Sequence, residues 1–453
     1  MANGPVTDDE LSALFGWLES WPTIGLAVSG GADSLALLHL YARWERSLAA
    51  PPATLVLTVD HRLRATSKAE ADCVAAQATS LGFRHETLVW DGPKPETGVP
   101  QAARDARYAL MSERLAHEIA APRALITAHT QDDQAETLLM RLARGSGLAG
   151  LAGMRLQRVL SANHTVTLVR PLLGVPKSRL EATLRAAEHA WVNDPTNTDE
   201  RFERARLRMT QVARDGLGLT NAALALTATR LARADAALNA ATDALAVVAV
   251  NADPVVLASV DRALFDAAPE ELRLRLLDRL LRGFGGTTPA PQLSELEALC
   301  ERWPYLTGAT TLGGCVIEPD GPSMIICREP GRMATESLEL LPGGSAIWDG
   351  RFRVALAASA QTSCTVRALN ASSWAQLRNG CTLLRPVPIR AALTLPSFWA
   401  RGRLVSVPSL GKLSVKPGCE RHMLCIAPLS LLELVGTLCT AAALPPASEH
   451  DQA

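Results

Sequence analysis

Through the first 215 residues of this 453-residue chain, short apolar runs alternate with amphipathic stretches. Residues 24–28 read as a buried strand. A helix over 34–43 follows, with Leu35, Leu38 and Ala42 on one face and Leu37 and Tyr41 beside them. The pattern then repeats, with strands predicted over 54–59, 85–89 and 124–128 and helices over 67–81, 101–119 and 132–142. Gly82 ends the second helix, and a fifth strand is expected over 165–170, stopped by Pro171. Strand–helix alternation at this spacing predicts βαβ units and a parallel sheet. After that the period changes. Residues 219–249 form an Ala-rich helical pattern and 260–303 hold two or three more helices. From about Thr310, strands over 311–318, 323–328 and 346–356 are separated by Gly and Pro turns. The expected organisation is an α/β domain over 1–215, a helical domain over 216–308 and a small α+β region over 309–453.

Composition adds little to the fold and something to the partner. Hydrophobic residues make up 48% and charged residues 20%, ordinary values for a globular protein. A net charge of −1 argues against wholesale coating by nucleic acid but leaves room for a local basic face. Residues 141–214 carry 13 Arg and Lys against 6 Asp and Glu, so 13 − 6 gives +7 there, and an anionic partner at one face would suit that asymmetry. The nine cysteines include no C-x-x-C pair, which fits reduced thiols and gives no zinc or iron–sulfur signature. The acidic N-terminal residues lack an apolar signal region, and no apolar run is long enough to span a bilayer. A cytoplasmic protein without a membrane partner is expected.

The strongest motif is Ser29-Gly30-Gly31-Ala32-Asp33-Ser34, between the first strand and the first helix. Two glycines let the backbone turn sharply and approach a ligand closely. The helix starting at about Asp33 aims its unbonded N–H groups and positive dipole end into the turn, which is how an anion is held. The Walker Gly-Lys-Ser/Thr is missing, and so is the G-x-G-x-x-G dinucleotide fingerprint. A tight turn capped by Ser29 or Asp33 is the structural alternative.

A second cluster follows the fourth strand, at Thr127-Ala128-His129-Thr130-Gln131-Asp132-Asp133-Gln134-Ala135-Glu136-Thr137. Helical spacing relates Asp132 to Glu136 and Asp133 to Thr137, and His129 sits at the mouth of the turn. Carboxylates beside a bound polyanion would repel it unless Mg²⁺ bridges them, and Asp33, Asp132 and Asp133 are the candidate ligands. Acidic residues are also favoured in any helix's first turn, which accounts for Asp132 and Asp133 but poorly for His129 and Glu136. Arg104 and Arg107, three residues apart, suit phosphate or AMP contacts or a solvated face. His61, after the second strand, is either a ligand contact or, in preference, a turn residue. Gly145, Gly147, Gly150 and Gly153 fit either a mobile lid or a linker.

The 29–34 loop resembles the pyrophosphate loop of the N-type ATP pyrophosphatases. The 127–137 cluster, continued through Leu138 to Leu151, closely resembles the tRNA(Ile)-lysidine synthetase family. Val59-Asp60-His61-Arg62-Leu63-Arg64, Ala103-Arg104-Asp105-Ala106-Arg107-Tyr108 and Asp194-Pro195-Thr196-Asn197-Thr198-Asp199 with Phe202 and Arg204 resemble further motifs of that family. Two positions depart from it: Arg62 stands where glycine is common, and Ala205 where many members have Asn. The likeness is specific over about 20–215 and loose beyond.

The resemblance implies a doubly wound, adenine nucleotide alpha hydrolase-like PP-loop domain. It implies ATP and Mg²⁺ as cofactors, and L-lysine and a CAU-anticodon tRNA(Ile) as partners. The cytidine O2 would attack the α-phosphorus of ATP, and the lysine ε-amine would then displace AMP from C2. The candidate catalytic residues are Asp33, Arg104, His129, Asp132, Asp133 and Glu136. Residues 29–34 would bind ATP, and Arg107, Arg144, Arg204, Arg206 and Arg208 would contact tRNA. Oligomeric state stays open, a homodimer included. The rival readings are another PP-loop tRNA enzyme such as a cytidine 2-thiolase, which would need clustered cysteines, and a catalytically silent tRNA-binding protein.

Overall fold

A computed structural model describes residues 4–62, 67–91, 94–95, 98–118, 120–161, 166–191, 203–253, 256–333, 337–380, 387–410 and 423–428. The chain divides into two compact units, Met1–Asp235 and Ala236–Ala453.

The first unit is built on six strands: β1 (Thr23–Ala27), β2 (Ala53–Asp60), β3 (Arg84–Val89), β4 (Arg123–Ile126), β5 (Gln157–Ser161) and β6 (Val166–Val169). Their order is β3-β2-β1-β4-β6-β5. All neighbours pair parallel except β5 and β6, so the expected all-parallel sheet ends in an antiparallel edge. Periodicity missed β5, whose Gln157 and Arg158 are exposed and leave too short an apolar run.

Alternation along the strands sorts the side chains to two faces. Ile24, Leu26, Val56, Ala124 and Ile126 join one core, while Leu55, Leu57, Leu125, Val166 and Leu168 join the other. The first core is covered by α1 (Asp8–Phe15), α2 (Ala32–Glu45), α3 (Ser67–Ser80) and a later helix, α7 (Lys177–Ala186). The second is covered by α4 (Val99–Ala116) through Tyr108, Met111 and Leu115. Gly25 lets α4 come close, because a Cβ there would lie 2.7 Å from Leu115. Helix α2 is buried on nearly every side, between the sheet and α1 and α7, which explains its weak amphipathic pattern.

The remaining helices of this unit are α5 (Gln131–Ala143), α6 (Leu148–Leu151), α7 (Lys177–Ala186), α8 (Glu203–Met209) and α9 (Gln211–Gly216). Helix α10 (Asn221–Ala249) starts in it and crosses the boundary between units. Strand order reverses between β1 and β4. This switch point is where open α/β sheets bind ligands beyond the strands' carboxyl ends. The loops after β1 and β4 carry the two motif clusters, so the topology brings them together.

The second unit begins with an antiparallel sheet ordered β7-β8-β11-β10-β9. Its strands are β7 (Val250–Asp253), β8 (Leu257–Asp261), β9 (Thr310–Leu312), β10 (Cys315–Asp320) and β11 (Ser323–Arg328). Helices α11 (Arg262–Ala267), α12 (Glu270–Phe284) and α13 (Leu293–Arg302) share its core. Because β8 pairs with β11, this sheet runs across the 308/309 junction read from the sequence.

Further on come β12 (Leu338–Leu340), β13 (Ser345–Trp348), β14 (Phe352–Leu356), β15 (Cys364–Ala368), β16 (Pro396–Ala400), β17 (Arg403–Ser406) and β18 (Met423–Pro428). They form sheets ordered β12-β15-β16-β17 and β13-β14-β18, accompanied by α14 (Ala371–Gly380) and α15 (Ile389–Ala392). Two strands expected as single runs, 311–318 and 346–356, are hairpins. Gly313-Gly314 take positive φ at both positions of a two-residue hairpin turn, as that turn demands, and Asp349-Gly350 also take positive φ in the three-residue connection between the paired Trp348 and Phe352.

Candidate active site

Beyond the carboxyl ends of β1 and β4 lies a cavity of about 490 Å³. One wall is the 29–34 loop. Gly30 turns at φ +84°, and Gly31 stands at the N-cap of α2 without a side chain to cap it. The first-turn N–H groups of α2 are thereby left for a ligand. Ser34 ties the loop together, accepting from the Ser29 N–H at 3.1 Å and donating to the Gly31 carbonyl at 3.0 Å. Ser29, Gly31, Ala32, Asp33 and Ser34 all line the cavity.

Asp33 faces this space under stress. Burial pushes its carboxyl up to about 6, against the pull of Lys177 and with a push from Asp133. Its Oδ1 is buried and has no hydrogen-bond partner among the described residues, while Oδ2 lies 3.3 Å from Lys177 Nζ. Sequence reasoning passed over Lys177. Its signal was the Pro176-Lys177 start of a helix after the Pro171 stop, with nothing local to tie it to the loop.

The loop after β4 forms the facing wall. Thr130 and Asp133 make a capping box at the start of α5, with the Thr130 N–H donating to Asp133 Oδ2 at 2.8 Å. Burial alone would raise the Asp133 carboxyl, but His129, the Thr130 hydrogen bonds and Arg204 together hold it below its usual value. His129 is pushed far down by burial, with Arg170, Arg104 and Arg204 adding to the effect, and so stays neutral near pH 7. Its Nδ1 lies 2.8 Å from Thr127 Oγ1.

His61 also lines the cavity, an outcome the turn reading did not anticipate. Burial and the nearby Arg107 and Lys94 push it down to about 4. Arg107 lines the same end, with a buried Nε that has no partner among the described residues.

Other expected site residues are placed elsewhere. Asp132 is absent from the cavity lining. Its Oδ2 accepts the Lys177 backbone N–H at 2.7 Å and its Oδ1 accepts Asn221 Nδ2 at 2.8 Å, so it clamps the starts of α5, α7 and α10. Glu136 is also absent from the cavity lining, held by Arg208 Nε at 2.5 Å and approached by Arg204 Nε at 3.9 Å. Arg204 also stands 3.7 Å from Asp133. Burial raises the Glu136 carboxyl despite Arg208 and Arg204, whereas Glu136 outweighs burial at Arg208 and holds that guanidinium above its usual value; the two shifts oppose each other, and the direct contact between the pair makes it an ion pair.

Arg204 and Arg208 therefore line the cavity as partners of carboxylates. Arg104 lies over the Tyr108 ring, 5.5 Å from its centroid. Arg144 pairs with Glu203, and Arg206 is exposed on α8. Ala205, the departure from the family pattern, is buried. The motif at 194–202 and residues 63–64 lie outside the described residues.

Glu136 thus reads as a brace for α8. Glu136→Gln is expected to lower stability by roughly 1–3 kcal/mol, the scale for losing a charged hydrogen-bond partner. Thermal melts and steady-state rates check this. An unchanged melt with a rate loss of 100-fold or more would make Glu136 a reacting group instead.

A glycine turn at the switch point, sharing one cavity with a part-buried carboxylate–histidine pair, is the arrangement of an ATP-using protein of the PP-loop class, and the PP-loop domain family model matches residues 8–214. The tRNA(Ile)-lysidine synthase of Bradyrhizobium diazoefficiens is 46% identical over 305 residues, covering 66% of this chain and 82% of that one. Those of Rhodopseudomonas palustris and Ruegeria pomeroyi are 43% and 37% identical, covering 72% and 86% of this chain and 96% and 88% of theirs. The chain belongs to the tRNA(Ile)-lysidine synthase family.

Proposed function

We propose that this enzyme uses ATP to join L-lysine to C2 of the wobble cytidine of a CAU-anticodon tRNA(Ile), releasing pyrophosphate and AMP. The observation that carries this reading is the single cavity shared by the phosphate loop and the His129–Asp133 wall, in a chain of this family. In the first step cytidine O2 attacks the α-phosphorus, and the pyrophosphate leaves against the start of α2. In the second, the lysine ε-amine attacks C2 and AMP leaves.

The residues divide the work by position. The loop at 29–34 holds the phosphates by backbone N–H groups and dipole. Asp133, anionic, offers a partner to the lysine ammonium, and neutral His129 beside it offers a hydrogen-bond acceptor. Asp33, with a carboxyl near pH 6, suits proton transfer or cation binding close to neutrality.

The residues fit Mg²⁺. Asp33 Oδ1 is an unpaired buried oxygen at the phosphate loop, and Asp133, Glu70 and Glu181 are the other carboxylates lining the cavity, of which Asp133 exerts the largest electrostatic push on Asp33. Among the described residues no three His, Cys, Asp or Glu side chains form a complete metal set, which suits a Mg²⁺ that arrives on nucleotide and keeps phosphate and water ligands. Such an ion would neutralise charge at the α-phosphate. Asp132 does not line the cavity and each of its oxygens already accepts a hydrogen bond, so Asp33 and Asp133 are preferred to it as ligands.

The tRNA backbone would meet the basic stretch from 141 to 214, of which Arg206 is exposed. No helix among the described residues is long and apolar enough to cross a membrane.

Incubating the enzyme with ATP, lysine and CAU-anticodon tRNA(Ile), then weighing digested nucleosides, tests the reading. A cytidine heavier by one lysine less water supports it; unmodified cytidine, or a 2-thio product, overturns it. Cys73 is the single cysteine of residues 1–235 and sits exposed on α3. Cys73→Ala should therefore leave the rate within about twofold, as expected for an exposed position away from the site.

A further inference from the structure

We infer that Lys177 is the cation that grips the pyrophosphate end of ATP, pairing with Asp33 when no nucleotide is bound and turning to the β- and γ-phosphate oxygens when ATP enters. This rests on the ATP-dependent reading above and names a residue for it.

A Walker loop carries its phosphate-binding lysine directly after the last glycine of the loop. Here Ala32 and Asp33 follow Gly31, so the loop brings a negative charge where that lysine would stand. A polyanion at the start of α2 would meet Asp33 at once. A compensating cation must come from another element, and the fold provides one: Lys177 Nζ lies 3.3 Å from Asp33 Oδ2, and both side chains line the cavity.

The other cationic side chains on the cavity are placed differently. Arg208 is bonded to Glu136, Arg204 approaches Asp133, and Arg107 stands at the far end beside His61. Arg208 also feels Asp33, but among these cavity cations Lys177 is the one in ion-pair contact with a residue of the phosphate loop.

Its backbone is fixed and its side chain is not. Asp132 accepts the Lys177 N–H at 2.7 Å, and the Gln131 N–H donates to the Val175 carbonyl at 3.0 Å, so the start of α7 is tied to the start of α5. The Lys177 side chain remains 34% exposed, with four rotatable bonds that let the ammonium change partner without moving the helix. This gives Asp132 its purpose: it positions Lys177 from behind. After that exchange the ammonium still lies close enough to Asp33 to offset its repulsion of the phosphates.

The test uses full-length protein. Binding of inorganic pyrophosphate and of Mg·ATP is measured by calorimetry without tRNA or lysine, for the parent, Lys177→Met and Lys177→Arg. Lys177→Met should weaken both ligands roughly 10- to 100-fold, the range for one charge-assisted hydrogen-bond partner, and raise the KM for ATP more than it lowers kcat. Lys177→Arg should restore most of the pyrophosphate affinity. Should the Met variant not fold, Lys177→Gln carries the same measurement.

A residue that merely braces Asp33 would behave otherwise. In an Asp33→Asn background, adding Lys177→Met should still cost pyrophosphate binding; no further loss there overturns the proposal, as does parent-like binding by Lys177→Met alone. Parent protein that binds ATP but never makes lysidine would instead overturn the reaction assignment and leave Lys177 as a phosphate ligand.

Discussion

Asp33→Asn is expected to lower lysidine formation by roughly 100-fold or more, the scale for losing a preorganised electrostatic group, and to leave the protein at least as stable as the parent at neutral pH. The first half follows from position. Asp33 sits on the first turn of α2 at the phosphate loop, paired with Lys177, with one carboxylate oxygen unsatisfied. Asn keeps the shape but cannot hold a cation or compensate Lys177.

The second half follows from linkage. The carboxyl is raised from its ordinary value of 3.8 to about 6, chiefly by burial. A group whose folded value is raised favours folding below the unfolded value, and that contribution is lost as pH rises through the folded value. Above pH 6 the folded protein therefore carries a penalised charge. Neutral Asn removes it, for a gain on the order of 1–3 kcal/mol at pH 7 that vanishes below about pH 4. Melting temperatures from pH 4 to 8 with single-turnover rates check both halves. A less stable variant at pH 7, or one with parental turnover, contradicts the assignment. In the parent, kcat/KM should fall as pH drops below about 6, where Asp33 becomes protonated.

Asp349→Asn is expected to destabilise the second unit by roughly 3–5 kcal/mol, the cost of removing one partner from a buried ion pair. The Asp349 side chain is 2% exposed and binds two guanidiniums. Its Oδ1 takes Arg328 Nη2 at 2.9 Å, and its Oδ2 takes Arg328 Nε at 3.0 Å and Arg351 Nε at 2.8 Å. Arg328 is fully buried and also donates to the carbonyls of Gly285, Gly314 and Arg332. One carboxylate thus joins the end of α12, the β9–β10 turn, the strand β11 and the β13–β14 turn. Asparagine tolerates the left-handed turn that Asp349 adopts at φ +50°, so the loss is one of charge rather than backbone. Two buried cations would then share no anion. Urea unfolding followed by Trp fluorescence should show an earlier transition. ATP binding by calorimetry should remain within about twofold, because the loop and α2 belong to the other unit. Loss of ATP binding together with that transition would contradict this separation.

What the sequence by itself determined is what lies within one turn or one period. Alternation of two and of three to four residues placed β1–β4, β6 and α2–α5 of the first unit to within a few positions, because burial on a sheet or helix repeats at those periods, while α1, β5 and the short helices α6–α9 were not read. The loop at 29–34 and the cluster at 127–137 stood out because each is contiguous, the first for its paired glycines after a strand and the second for His129 and Glu136, which a helix's first turn does not by itself call for. The tertiary structure decided which charge meets which. Asp132 and Asp133 are neighbours in the chain, yet Asp133 faces the cavity and Asp132 reaches back to Lys177 and Asn221. Glu136 is a brace because Arg208, 72 residues away, folds onto it. Lys177 met the phosphate loop only once α7 packed on α2. Helical period fixes the face a side chain occupies but carries no information about what covers that face. A carboxylate opposite solvent or ligand is a functional group, and the same carboxylate opposite a guanidinium or an N–H is a tie. That choice is made by pairing between distant segments, which no local pattern encodes.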